Sequence, residues 1–152
     1  MITLLSKRID RLETEIAVHI SAHMHVDNRH EMLLSAPGLG NVVAATLLAK
    51  LPELGTVNRR AIANLAGLAP HVCDPGHMRG RRKIWGGGAE VRSTLYIAVF
   101  IASKSHPEFR SDRKKLEDAG KPFNVAIIAA ARRLLVQLNA MIRENRCYEQ
   151  KA

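Results

Sequence analysis

The chain has 152 residues, with 23 Lys and Arg against 14 Asp and Glu, a formal net charge of +9, and aromatics at only 4%. That length supports one domain with a core of its own and makes two independent domains improbable. The charge points to a polyanionic partner, nucleic acid first, whereas so few aromatics exclude a base-stacking platform for single strands and favour duplex or junction backbone contact. Abundant alanine and leucine are the mark of close-packed helices rather than a sandwich or barrel, so the expected fold class is all-α. Cys73 and Cys147 are too few for a disulfide framework, which fits a reducing cytoplasm. The longest apolar run, residues 42–51, is too short to span a membrane.

Ile2, Leu5, Ile9, Leu12, Ile16 and Ile20 recur every three or four residues, with Lys7, Arg8, Asp10, Arg11, Glu13 and Glu15 between them. The spacing predicts an amphipathic, coiled-coil-like helix over residues 1–26, ahead of a helical domain over 27–152. Its stripe, represented by Leu5, Ile9, Leu12 and Ile16, is a dimerisation surface if a second copy covers it; an adjoining domain and the chain's own core are the other candidates. His19, His23, His25 and His30 near the end of this helix read as surface residues that add to the positive field near neutral pH.

Met32, Leu33 and Leu34 close a short helix, Pro37-Gly38-Leu39-Gly40 forms a tight turn, and residues 42–51 form a second helix. This order resembles a helix-hairpin-helix element, in which backbone amides, here those of Gly38, Leu39, Gly40 and Asn41, would hold a phosphate at a helix start. An ordinary helical hairpin with a Gly-rich turn is the competing reading. A third helix is bounded by Asn58 as N-cap and Gly67 just past its end.

Residues 69–96, APHVCDPGHMRGRRKIWGGGAEVRSTLY, concentrate charge. Arg79, Arg81, Arg82, Lys83 and Arg92 face only Asp74 and Glu90, and the interspersed glycines predict a flexible basic loop that can lie against phosphates. His71, Cys73, Asp74 and His77 match no common zinc spacing, so no metal site is expected. Gly86-Gly87-Gly88 lacks the ending of a phosphate-binding P-loop. The carboxylates offer no catalytic pair. Three further helices are predicted: residues 90–105 with Val91, Leu95, Val99 and Ala102 on one face; a short one from Pro107 to Gly120; and a long last one from Pro122 to about Arg146. In the last, Ala126, Ala129, Ala130 and Ala131 would permit close helix contact, and Arg132, Arg133, Arg143 and Arg146 keep the other faces positive.

Three phrases in this order, SAPGLGNVVAATLLAKL at 35–51, ANLAGLAP through MRGRRKIWGGGAEVRSTLY at 63–96, and AGKPFNVAIIAAARRLL at 119–135, resemble one family. They are similar to the C-terminal transposase domain of bacterial insertion-sequence transposases related to the Piv DNA invertases. The resemblance implies a transposase fragment that binds DNA in transposition and recombination, in the bacterial cytoplasm on the nucleoid, with a guide RNA among the family's partners; the amphipathic first helix adds the expectation of a homodimer or higher oligomer. It also implies a composite active site. An N-terminal RuvC-like domain would supply acidic ligands for a divalent metal, and this domain a serine between an aspartate and a glycine. Nothing in this chain resembles the RuvC-like half, so no cofactor is expected here. The serine's place is taken by Pro75, in Asp74-Pro75-Gly76, and proline has no hydroxyl with which to attack a phosphodiester. The expectation is therefore a DNA-binding domain without a catalytic residue. Its rivals are the C-terminal part of an active recombinase completed by a RuvC-like domain, and a dimerisation module that has lost DNA binding.

Overall fold

The computed structural model describes residues 2–23, 28–69 and 88–149. Among these residues the regular structure is entirely helical, in the order α1 (Ile2–His23), α2 (Arg29–Leu34), α3 (Asn41–Lys50), α4 (Arg59–Leu65), α5 (Ala89–Ser105), α6 (Pro107–Asp118) and α7 (Phe123–Arg143). The all-α expectation holds, and each helix read from the sequence is present.

The helix ends follow from the local residues. Asn58 caps α4, its side-chain oxygen accepting from the amides of Arg60 at 3.0 Å and Ala61 at 2.9 Å. Past α4, Gly67 takes a φ of +63° and the Leu68 amide returns to the Ala63 carbonyl at 2.8 Å, closing the helix in a Schellman turn. Gly120, at φ +78°, ends α6 in the same way. The last helix stops at Arg143, short of the expected Arg146, because Asn145 adopts a left-handed φ of +51° and the Arg146 amide turns back to the Met141 carbonyl. Asparagine tolerates that conformation better than other residues with a side chain.

The core is organised around α7, which buries Ala126, Ile127, Ala130, Ala131, Leu134, Leu135, Leu138 and Met141. Against it pack α5, through Val91, Leu95, Val99 and Ala102, and the buried Leu33, Leu47, Leu54, Ile62 and Leu68 of the earlier segments. Helix α7 is long and apolar enough to cross a membrane, yet half of its apolar window is buried in the protein's own interior. It is a core helix. Ala129 departs from the expected contact face: it is exposed, on the outer side of α7.

Two close fits fix how the segments meet. Gly38, at φ +81°, lies so near α5 that a Cβ there would stand 2.4 Å from the Ala98 carbonyl oxygen, so the hairpin turn rests directly on the α5 backbone. Asn139, at 2% exposure on α7, accepts from the Gly55 amide and donates to the Val57 carbonyl, both at 2.8 Å. That pair of bonds ties the α3–α4 connection to the core helix. Beyond α7, the Tyr148 amide donates to Ser35 Oγ at 2.8 Å and its hydroxyl to Glu108 at 2.9 Å, clasping the last described residues to α2 and α6. Burial, reinforced by the bond to Glu108, pushes the Tyr148 phenol up to about 12, so it remains a donor across the neutral range.

Two stability outcomes are expected in urea titrations. Asn139→Leu leaves the Gly55 amide and the Val57 carbonyl without partners and costs roughly 2–4 kcal/mol; a loss under about 0.5 kcal/mol contradicts the bridging role.

At the hairpin, Gly38→Ala costs roughly 2 kcal/mol or more, since the new methyl meets backbone at a positive φ. Gly40→Ala, which enters open space at an ordinary φ of −97°, costs under about 1 kcal/mol.

Candidate nucleic-acid interface

The turn that seats Gly38 on α5 also sets the start of α3. Leu39 is buried and its amide reaches the Ala36 carbonyl at 3.3 Å, so it serves packing and turn closure. Gly40 is the N-cap of α3 and contributes no side chain to it. The amides of Gly40, Asn41, Val42 and Val43 have no acceptor among the described residues, and Gly40, Asn41 and Val42 are exposed. Four donors are thus unpaired at the positive end of a ten-residue helix, three of them on exposed residues. Of the expected amide set, Gly40 and Asn41 lie at this opening, Gly38 sits behind it against α5, and Leu39 is turned inward.

Arg79, Arg81, Arg82 and Lys83, together with Pro75 and the His71, Cys73, Asp74 and His77 cluster, lie outside the described residues. The residues flanking this stretch are held together. The Gly88 amide donates to the Leu65 carbonyl at 3.1 Å, and Arg92 Nη1 donates to the Gly67 carbonyl at 3.3 Å. Arg92 is half-buried in this role. It satisfies a carbonyl at the C-terminal end of α4, where a cation is favoured by the helix dipole. The start of α5 is thus held to the end of α4, and Glu90 beside it forms an ion pair with Lys50 at 3.0 Å. Among the described residues no group of three or more His, Cys, Asp and Glu is placed to hold a metal.

A second basic surface was not singled out in the sequence. Arg59 and Arg60 at the start of α4 and Arg132 and Arg133 on α7 line one open groove of about 490 Å³, whose wall also includes Ala129, Val136 and Gln137. Arg59, Arg60 and Arg132 have no ion-pair or hydrogen-bond partner among the described residues. Arg133, the next residue along α7, is different. It pairs with Glu108 at 3.0 Å and with Asp112, both on α6. The sequence signal was the Arg59-Arg60 and Arg132-Arg133 doublets; what it lacked was the knowledge that α4 and α7 pack side by side.

On α1, Leu5 and Ile9 are 55% exposed, Leu12 51% and Ile16 40%. Among the described residues the core does not cover the stripe.

Comparison with known proteins bears on what these surfaces meet. The family described as Transposase IS116/IS110/IS902 family matches residues 30–114, a span from α2 into α6. The pilin gene-inverting protein of Moraxella bovis is 29% identical over 150 residues, covering 96% of this chain and 47% of that protein. The uncharacterized 42 kDa protein of insertion element IS900 from Mycobacterium paratuberculosis is 30% identical over 154 residues, covering 95% of this chain and 38% of its own length. The uncharacterized 43.6 kDa protein of insertion element IS110 from Streptomyces coelicolor is 28% identical over 142 residues, covering 92% and 34%. The chain spans less than half the length of each of these relatives.

Proposed function

We propose that this chain, which belongs to the transposase IS116/IS110/IS902 family, is the DNA-binding C-terminal part of a transposase acting in DNA transposition or inversion. The observation that carries the reading is the span of the family match. Residues 30–114 hold both the hairpin, with its open amides, and the whole basic segment, in a chain of net charge +9. Phosphodiester oxygens are the natural partners of such donors and cations. The Gly40 and Asn41 amides, in a turn of helix-hairpin-helix type, hold a phosphate, and Arg79, Arg81, Arg82 and Lys83 neutralise others. Arg92 acts mainly by fixing the base of that segment. The partner is duplex or junction DNA in the bacterial cytoplasm, with a guide RNA as a further partner of the complete protein.

Catalysis is a separate matter. With Pro75 between Asp74 and Gly76, this domain supplies no hydroxyl nucleophile at the place where the family resemblance puts one. Any divalent metal belongs to a RuvC-like domain outside this chain. A strand-transfer activity of the complete gene product that required the 74–76 phrase of this domain would overturn that part of the reading.

The exposed α1 stripe favours one addition: Leu5, Ile9, Leu12 and Ile16 pair with a second copy, so DNA is gripped by a dimer or larger assembly. Sites that alternate apolar and charged faces over about three heptads suit helix-to-helix packing.

Two measurements test these proposals. Binding to a duplex at graded salt should show a steep slope, and Arg81→Ala with Arg82→Ala should lower it by about two while weakening binding to unrelated sequences almost equally. Unchanged affinity and slope would sink the basic-segment role.

In sedimentation equilibrium the parent chain should be at least dimeric, and Ile9→Glu with Leu12→Glu should yield a monomer of unchanged helicity. A monomeric parent removes the pairing proposal.

A further inference from the structure

We infer that the groove between α4 and α7 is a second DNA-backbone site, in which Arg59, Arg60 and Arg132 clamp the sugar-phosphate strand of a duplex. The inference rests on the DNA-binding reading above and assigns it a surface separate from the hairpin and the basic segment.

Charge is the first ground. Four arginines line one groove; Arg133 is neutralised by Glu108 and Asp112, and Arg59, Arg60 and Arg132 have no carboxylate partner among the described residues. Like charges gathered this way repel one another, and a structure tolerates the arrangement most readily where an anion neutralises them. Salt-bridge formation elsewhere on α7 shows that acids were available to the fold; they face Arg133 and leave Arg132 open.

Shape is the second. A groove of about 490 Å³ open to solvent is a poor container for a small metabolite, which needs enclosure, and a good seat for an extended strand. Ala129 and Val136 give its wall an apolar surface for deoxyribose carbons, while the guanidinium forks suit bidentate contact with phosphate oxygens. Gln137 adds one neutral donor and acceptor.

Rigidity is the third. Arg59 and Arg60 follow the capped Asn58, and the preceding residues are tied to α7 through Asn139, so the two walls are held in fixed relation. Arg132 stands on the core helix itself. A preorganised trio loses less freedom on binding than lysines on a mobile loop.

The test compares three forms of the full chain in salt-graded binding to duplex DNA and duplex RNA, with helicity and melting checked for each. Arg59→Ala/Arg60→Ala/Arg132→Ala should weaken DNA binding on the order of 30-fold and flatten the salt slope by about 2.7, at 0.9 per phosphate contact. Arg59→Lys/Arg60→Lys/Arg132→Lys should keep most of the slope and lose affinity several-fold, because charge remains and the fork does not. Neutral behaviour of the alanine form, while Arg81→Ala/Arg82→Ala still weakens binding, overturns the groove and leaves the DNA-binding reading standing. A parent chain without salt-dependent affinity for DNA overturns both. Loss confined to duplex RNA overturns the assignment to DNA.

Discussion

Asn139 is the constraint on which the arrangement of the basic surface depends. A buried amide on the otherwise apolar inner face of a helix is costly unless both its donor and acceptor are used. Here they are, on the Gly55 amide and the Val57 carbonyl. The connection they hold runs directly into Asn58, which starts α4, and Arg59 and Arg60 are the first two residues of that helix. Arg132 lies about two turns earlier on the helix that carries Asn139. One polar residue in the core thus sets the distance between two walls of positive charge, and the apolar cluster around α7 supplies the stability that makes this fixed.

The same economy appears at the hairpin. A turn without a Cβ at Gly38 settles on the α5 backbone, and the start of α3 is thereby aimed outward with its amides unpaired. Gly40, which stands at that opening, meets nothing and has ordinary torsions. Of the two glycines, only the first is demanded by the fold. The second leaves the approach to the amides free of a side chain, which is a feature of access rather than of conformation.

Much of the architecture was legible in the sequence because its signals are local. Asn58, Gly67, Pro107 and Gly120 mark helix ends through the chemistry of one residue, and Val91, Leu95, Val99 and Ala102 mark a buried face through spacing alone. The end of α7 escaped notice because asparagine at Asn145 signals a left-handed turn more weakly than glycine does. The roles of individual arginines were less legible. Arg132 and Arg133 are neighbours in sequence and both line the groove, but roughly 100° of helix rotation brings only Arg133 to two carboxylates on α6. Arg92, expected to neutralise phosphate, also donates to the Gly67 carbonyl, a bond that spacing does not foretell. Composition counts charges; only packing says which of them are already spent.

The clasp at Tyr148 gives the fold a direction in time. Its amide meets Ser35 across a separation of 113 residues, and Asn139 meets Gly55 across 84. Contacts of such long range close late, because the intervening chain must first be gathered. On a ribosome the hairpin emerges well before the helix on which it is to rest, and α4 before the wall that faces it. The open amides and the arginine doublet therefore exist as isolated pieces during synthesis. Each takes its place separately, the hairpin once α5 is made and the arginine doublet of α4 once α7 is.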